Sequence, residues 1–138
     1  MARAKTSRVE RPAKDIRSRG AERVFTTPYF ARQANDARIG DRELCESATE
    51  LRKGQGDPLG GGVWKKRLDK NRQRAIVLTK VGGFWIYVYL FAKKDRENIT
   101  PRELRAFKKL SRDYQTADVE QMLKNGDLNE ICKDEQEE

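Results

Sequence analysis

The sequence predicts an α+β fold: a small antiparallel β-sheet with two N-terminal helices packed on one face and a C-terminal helix. Two observations support this fold class. Helix-start signals occur twice in the N-terminal part of the chain and once towards its C-terminal end. Between them lie three strand-like segments, in which side chains alternate in character and short turn sequences separate the segments. We expect helices on one face of the sheet and a partly open opposite face.

The N-terminal part predicts one strand and two helices. Residues 23–27 (RVFTT) are typical of a short strand. Thr27 followed by Pro28 predicts the start of a helix that runs to about residue 38. Asp41 predicts the N-terminal cap of a second helix, whose apolar stripe is formed by Leu44, Cys45, Ala48 and Leu51.

A glycine-rich loop at 53–62 precedes the predicted sheet. The strands are expected at 63–69, 74–80 and 83–92. A turn at Gly82–Gly83 would pair Leu78 with Tyr87, Ile76 with Tyr89 and Arg74 with Phe91.

Alternation divides the last of these strands into two faces. One face is aliphatic and suited to cover by helices: Phe84, Ile86, Val88 and Leu90. The other is aromatic, ends in a cation and is expected to be open: Trp85, Tyr87, Tyr89, Phe91 and Lys93. Arg74, Lys65 and Arg67 are predicted to share this second face, whereas Lys66 should point away from Lys65 and Arg67.

The C-terminal part predicts one long and one short helix. Thr100, Pro101 and Glu103 form a capping-box start. The buried stripe of the long helix is expected to consist of Leu104, Phe107, Leu110 and Tyr114. A short helix follows at about 116–124, with Gly126 as its C-terminal cap.

Length and charge predict one domain with a polyanionic partner. The 138 residues suit a basic N-terminal arm at 1–22, which is expected to be flexible, a single domain at 23–133 and an acidic tail at 134–138. The net charge is +8, and residues 64–114 carry 15 basic and 5 acidic side chains. Nucleic acid is the favoured partner. The longest apolar run, 84–92, is too short to span a bilayer, and no membrane partner is predicted.

The two cysteines predict neither a disulfide framework nor a metal site. Cys45 and Cys132 lack metal-ligand spacing, and the chain contains no histidine. We interpret both as reduced thiols of a cytoplasmic protein, with Cys45 in the core. No metal and no cofactor is expected.

The basic and aromatic residues of the strands suit RNA, because cations bind phosphates and rings stack on unpaired bases. RNA can be cleaved by its own 2′-hydroxyl when a base, cations and an acid assist. Lys65, Lys66 and Arg67 form a crowd of cations, and like charges favour the neutral form of a lysine. Arg67 or Arg74 would hold the phosphate. The alternative is a solvated strand edge, where lysines discourage aggregation.

Four segments in this order resemble the HigB-like branch of the RelE/ParE superfamily of toxins from bacterial type II toxin–antitoxin modules. They are LGGGVWKKRL, RQRAIVLTK, GFWIYVYLFAKKDRENI and ELRAFKKL. The resemblance covers residues 23–133. It implies two N-terminal helices packed on a small antiparallel sheet, and a messenger-RNA endonuclease that acts in the ribosomal A site. It also implies a cognate antitoxin, which we expect to be a helix-turn-helix protein.

The resemblance also implies the site. Its expected catalytic residues are Lys65, Arg67, Arg74 and Lys93, and its expected RNA-binding residues are Lys66, Arg72, Tyr87, Tyr89 and Lys94. Many relatives carry a glycine-rich GG-x-R sequence before the Arg74 position, whereas this chain has DKNRQR, so Arg72 could substitute for Arg74.

Two other functions remain open at this point. One is a ParE-like poison of DNA gyrase with the same fold, and the other is a nucleic-acid-binding protein without catalysis. The codon preference, the antitoxin's identity and the oligomeric state are not predicted.

Overall fold

The protein is represented by a computed structural model that describes residues 22–133. It confirms the α+β fold class. The elements in chain order are β1 (Arg23–Thr26), α1 (Pro28–Asp36), α2 (Asp41–Arg52), β2 (Asp57–Gly60), β3 (Val63–Leu68), β4 (Gln73–Lys80), β5 (Phe84–Ala92), α3 (Pro101–Gln115), α4 (Val119–Asn125) and β6 (Asn129–Ile131). The predicted tail at 134–138 and the predicted arm, except Glu22, lie outside the described residues, and the domain bounds stay a prediction.

The six strands form one sheet in the order β2-β3-β4-β5-β1-β6. Strands β2 to β5 pair antiparallel in sequence order, β1 lies parallel to β5, and β6 lies antiparallel to β1. Two edge strands were not predicted. Strand β2 (DPLG) lies within the segment that was expected to be a loop. It was missed because proline and glycine are rare within strands except at edges. Strand β6 was missed because it has only three residues.

Helices cover both faces of the sheet, so the expectation of an open aromatic face is wrong. Trp85 and Tyr87 are buried in one core with residues of α1 and α2 such as Phe30 and Leu44. A second core on the opposite face contains Ile76, Leu78, Phe84 and Ile86, against which α3 and α4 pack. We refer to these two sides as the α1/α2 face and the α3 face.

The register of the β4–β5 hairpin differs from the prediction only between the turn and a β-bulge. The loop between β4 and β5 has three residues rather than two, so Leu78 pairs with Ile86 and the predicted Leu78–Tyr87 pair is wrong. The bulge lies opposite Ile76 and Val77, and the extra residue restores the predicted pairs Ile76–Tyr89 and Arg74–Phe91. Beyond the bulge the alternation is inverted. Phe91 therefore belongs to the core of the α3 face, and Leu90 to that of the α1/α2 face.

Most predicted helix ends are confirmed. Thr27 caps α1 by accepting a hydrogen bond from the Phe30 N–H, Thr100 and Glu103 form a capping box, and Gly126 ends α4 with φ 80°. The predicted cap at Asp41 is wrong, because Gly40 is the capping residue and Asp41 is the first residue of α2. No helix within residues 22–133 has the length and apolar character needed to cross a membrane.

Cys45 and Cys132 form a disulfide, which corrects the prediction of two reduced thiols. Their Cα atoms are 5.6 Å apart, although the residues are 87 positions apart in the chain. Strand β6, which the sequence did not reveal, places Cys132 against the core beneath α2. The bond ties α2 to the C-terminal end of the sheet.

Candidate functional site

Three predicted cations lie on the α3 face of the sheet. In one row across the strands Lys65 pairs with Ile76, which pairs with Tyr89. In the next row Arg67 pairs with Arg74, which pairs with Phe91. Ile76 and Phe91 belong to the core of the α3 face. Side chains in register across antiparallel strands share a face, so Lys65, Arg67 and Arg74 lie together. We call these three residues the cationic cluster.

The two arginines of this cluster form a pair of like charges. Arg67 is exposed, while Arg74 retains only 8% of its accessible surface. Arg74 Nη1 donates hydrogen bonds to the carbonyl oxygens of Asn71 at 3.0 Å and Gln73 at 3.3 Å. Among residues 22–133 no carboxylate lies within ion-pair distance of Lys65, Arg67 or Arg74. Like charges placed directly opposite destabilise a sheet, so an anion bound between the arginines would relieve their repulsion.

The loop before Arg74 has an unusual backbone. Asp69, Lys70 and Asn71 have φ values of 53°, 53° and 73°, in the left-handed region that glycine adopts most easily. This is the position at which the sequence carries DKN instead of glycines. Aspartate and asparagine adopt this region more readily than other non-glycine residues, so the cost of roughly 1–2 kcal/mol falls mainly on Lys70. The loop is held by the Asp69 N–H, which donates to Glu43 of α2, and by an Asp69–Arg72 ion pair at 2.8 Å.

The ion pair engages Arg72, the predicted substitute for Arg74. The hydrogen bonds from Arg72 lower the pKa of the Asp69 carboxyl, and the same contacts raise the pKa of Arg72. Arg72 side-chain atoms remain largely exposed, at 64% of their accessible surface. Arg72 therefore differs from Arg74, which is buried and bound only to carbonyl oxygens among the described residues.

Lys66 lies on the opposite face from the cationic cluster, as alternation predicted. Its Nζ atom is 2.7 Å from a Glu50 carboxylate oxygen and donates to the Gln55 carbonyl oxygen at 2.8 Å. Its side chain retains 12% of its accessible surface. We do not retain Lys66 as an RNA-binding residue, because its ammonium group ties β3 to the end of α2 and the following loop.

Tyr87 is also removed from the candidate site, because its side chain is completely buried. Its hydroxyl donates to the Leu44 carbonyl oxygen at 2.8 Å and lies 2.5 Å from Ser47 Oγ. Burial raises the pKa of this hydroxyl. A ring in this position cannot stack on RNA.

Arg72, Lys93 and Lys94 line a separate cavity of about 610 Å³, together with Asp69, Gln73 and Ala92. Gln73 pairs with Leu68 and Ala92 across the strands. Because Leu68 belongs to the core of the α1/α2 face, Gln73 lies on that face as well. The Lys93 N–H donates to the Arg72 carbonyl oxygen at 2.9 Å, which links two of the lining residues. The predicted site residues thus form two groups at the same end of the sheet, one on the α3 face and one in this cavity.

Two residues near the cationic cluster were not among the predicted site residues. The Arg96 guanidinium lies 5.4 Å from the centre of the Phe91 ring, pairs with Glu103 and approaches the Tyr89 hydroxyl at 3.5 Å. Arg96 is the arginine of the segment FAKKDREN, so a sequence signal for it existed. Tyr29 stacks with Tyr89, and no sequence signal could relate residues so far apart.

The geometry suits an extended polyanion with exposed bases. Three cations without carboxylate partners among the described residues lie beside a group of aromatic rings: Tyr29, Tyr89, Phe91 and Phe107. Phosphates would bind to the cations, and rings with an accessible face can stack on bases. Residues 22–133 contain no group of three or more His, Cys, Asp or Glu side chains placed to hold a metal ion.

Comparison with known proteins gives one family match. A family described as "RelE toxin of RelE / RelB toxin-antitoxin system" matches residues 22–131. No curated protein and no solved structure matches the chain significantly. The match does not distinguish a HigB-like branch, which stays a prediction.

Proposed function

Because the chain belongs to the RelE family of toxins from toxin–antitoxin systems, we propose that it cleaves messenger RNA on the ribosome. Toxins of this family are generally ribonucleases, and each has a cognate antitoxin as its partner. The proposal adds the substrate, the ribosome and the roles of individual residues. It also includes a helix-turn-helix antitoxin and a cytoplasmic location, where translating ribosomes are found.

The observation that carries the proposal is the Arg67–Arg74 pair. The two arginines are directly opposite each other on β3 and β4, with no carboxylate beside them among residues 22–133. An arginine binds a phosphate through two parallel hydrogen bonds and stays charged at any physiological pH. Two guanidinium groups can therefore hold the non-bridging oxygens of one phosphodiester and stabilise the extra charge of a phosphorane.

The proposed reaction is transesterification within the RNA. The ribose 2′-oxygen attacks the adjacent phosphorus, the phosphorus–5′-oxygen bond breaks, and a 2′,3′-cyclic phosphate and a 5′-hydroxyl are formed. Lys65, one row from the arginines, accepts the 2′-hydroxyl proton when its amine is neutral. Lys93 directly follows β5 and lines the cavity at the same end of the sheet. The RNA would have to pass from the cationic cluster over this end of the sheet for Lys93 to donate a proton to the leaving 5′-oxygen. Arg72 and Lys94 would bind the neighbouring phosphates.

The ribosome would contribute the alignment that this site lacks. Arg67 is exposed, and the chain has no histidine to serve as a strong acid–base pair. Holding reacting groups in an attack geometry can supply a large part of a rate enhancement. An RNA strand fixed in the decoding site would present its 2′-hydroxyl in line with the leaving oxygen, so the protein only needs to supply charge and proton transfer.

The test is primer extension on a messenger RNA in a purified translation system, with and without ribosomes. We expect cuts only when ribosomes translate, and we expect Arg67→Ala to abolish them. Arg112→Ala is the matched control, because Arg112 is an exposed arginine in the last turn of α3. Intact RNA with inhibited gyrase would favour a gyrase poison. Intact RNA with salt-sensitive RNA binding would indicate a binding protein without catalysis.

A further inference from the structure

Tyr29 and Tyr89 form a stack of two parallel rings beside the cationic cluster. Their planes differ by 4°, and their centres are 6.5 Å apart. Aromatic rings in offset contact have centres 4.5–7 Å apart, so this distance is within the range of a stacked pair. One side of Tyr89 is occupied by Tyr29. Phe91 and Phe107 surround the rest of the ring at centre distances of 5.9 and 6.0 Å.

Tyr29 is the outermost ring of this group and is accessible to solvent. It retains 52% of its accessible surface, and Val81 is the only other large hydrophobic residue of 22–133 that is comparably exposed. Val81 lies in the β4–β5 turn, far from the cluster along the strands. One side of the Tyr29 ring packs against Tyr89 while about half of its surface stays exposed, so a flat outward face is accessible to a base.

The structure fixes helix α1, and with it Tyr29, to β5. The Gln33 amide donates to the Leu90 carbonyl oxygen and accepts from the Leu90 N–H, both at 2.9 Å. The Thr27 N–H donates to the Tyr87 carbonyl oxygen at 3.1 Å. These bonds lie on both sides of Tyr29 in the chain. A ring that is already held in place loses little further freedom when a base stacks on it.

The rings and the cations are spaced to contact the same strand of nucleic acid. Tyr89 and Lys65 lie in one row, separated by Ile76. Neighbouring strands are about 4.8 Å apart, so the row brings Lys65 to roughly 10 Å from Tyr89. Tyr29 belongs to α1, which follows β1 on the side of β5 away from β4. Its ring therefore lies beyond Tyr89 as seen from Lys65, at a further 6.5 Å between ring centres. A strand of RNA that contacts both Tyr29 and the cluster would span more than one nucleotide.

We propose that Tyr29, supported by Tyr89, is a stacking subsite for one unpaired base of the RNA substrate. The base lies on the outward face of the Tyr29 ring, and phosphates farther along the same strand lie on the cationic cluster. Stacking needs only the flat face of a base, so the subsite holds RNA in register without selecting a sequence. This inference rests on the proposed RNA substrate and adds a contact that aligns the strand.

The test measures binding of a fluorescent single-stranded RNA oligomer to the full chain at low salt, for wild type, Tyr29→Ala, Tyr29→Phe and Arg67→Ala. We expect Tyr29→Ala to weaken binding about 5- to 150-fold, as expected for the loss of one base–aromatic stack. Tyr29→Phe should bind like wild type. Tyr29→Ala should leave the salt dependence of binding unchanged, whereas Arg67→Ala should reduce it. Thermal unfolding of each variant checks that the fold is kept.

Three results would overturn the subsite: wild type that does not bind the oligomer, Tyr29→Ala that binds like wild type, or Tyr29→Phe that is as weak as Tyr29→Ala. The ribosome assay separates this inference from the proposed function. RNA binding that depends on the Tyr29 ring, without cleavage on ribosomes, would keep the subsite and reject the nuclease. Ribosome-dependent cleavage, together with equal RNA binding by wild type and Tyr29→Ala, would keep the nuclease and reject the subsite.

Discussion

Arg74 donates a hydrogen bond to the carbonyl oxygen of Asn71, the last residue of a left-handed loop. The bond is 3.0 Å long and involves the same Nη1 atom that also reaches the Gln73 carbonyl oxygen. The loop conformation therefore sets the position of the buried arginine. Residues in the left-handed region are often found at functional sites, and here the last residue of such a loop directly orients a member of the cationic cluster.

Replacing Arg74 should remove cleavage without removing the fold. We expect Arg74→Ala to lower the rate of ribosome-dependent cleavage about 100- to 1000-fold, the loss found when one transition-state donor is removed. Arg74→Lys should recover only part of this, since an ammonium group cannot bind a phosphate through two parallel hydrogen bonds. Single-turnover cleavage measures the rate, and antitoxin binding checks the fold. Wild-type cleavage by Arg74→Ala would exclude Arg74 from the site.

Glycine at position 70 should stabilise the protein. Lys70 has φ 53°, is exposed, and makes no hydrogen bond or ion pair within residues 22–133. Lys70→Gly relieves the left-handed strain, and we expect the free energy of unfolding to rise by about 1 kcal/mol. Lys70→Ala is the matched control, because it removes the same side chain but keeps a Cβ atom. Equal stability of the two variants in urea unfolding would show that the backbone at this position is not strained.

The features that the sequence predicted depend on neighbours in the chain. The start of α1 at Thr27–Pro28 and the capping box from Thr100 to Glu103 are formed within four residues, so local patterns reveal them. The pairing of Arg74 with Phe91, and the shared face of Arg67 and Arg74, also follow from alternation and a short connection. These local rules place the cationic cluster on one face of the sheet.

The features that the sequence did not predict depend on residues far apart in the chain. The bulge near Val88 inverts the alternation of β5, so Tyr87 lies in the core of the α1/α2 face while Tyr89 stacks with Tyr29. The pairing of Cys45 with Cys132 requires β6, which has only three residues. Neither feature has a local pattern, because each is decided by packing across the whole domain.

The buried Tyr87 hydroxyl should matter for stability rather than for cleavage. Tyr87→Phe removes the hydrogen bond to the Leu44 carbonyl oxygen and the contact with Ser47. Because the ring keeps its volume, we expect a loss of about 1–2 kcal/mol in the free energy of unfolding. Cleavage below the unfolding temperature should equal that of wild type. A variant with unchanged stability but weak cleavage would return Tyr87 to the site.

The Cys45–Cys132 disulfide should stabilise the oxidised protein. The bond closes a loop with a sequence separation of 87 residues, and a cross-link of this kind stabilises mainly by restricting the unfolded chain. We expect Cys45→Ser with Cys132→Ser to lower the free energy of unfolding by about 2–4 kcal/mol. Dithiothreitol should bring wild type to the level of the double variant and leave the variant unchanged. Wild-type stability that is insensitive to dithiothreitol would show that the bond does not contribute.

The same bond leads to an expectation for the cell, because cytoplasmic thiols are kept reduced and disulfides there are rare. A cytoplasmic toxin would then be mainly in the less stable dithiol form. Alkylation of lysates prepared under acid, followed by mass spectrometry, measures the fraction oxidised. A fully oxidised protein would instead indicate an oxidising compartment.

The Arg96–Glu103 pair should make stability depend on pH in the acid range. Hydrogen bonds from Arg96 first, and from the Thr100 N–H second, lower the pKa of Glu103 from 4.5 to about 2. A carboxyl whose pKa is lower in the folded state stabilises it above the unfolded pKa and loses this effect as the pH falls towards the folded pKa. Wild type should therefore lose stability between about pH 4.5 and pH 2 more steeply than Glu103→Gln, as measured by urea unfolding at each pH.

Glu97→Gln is the matched control, because Glu97 is exposed and has no hydrogen bond or ion pair within residues 22–133, so it should keep the wild-type slope. Parallel curves for wild type and Glu103→Gln would mean that Arg96 does not hold Glu103 in solution.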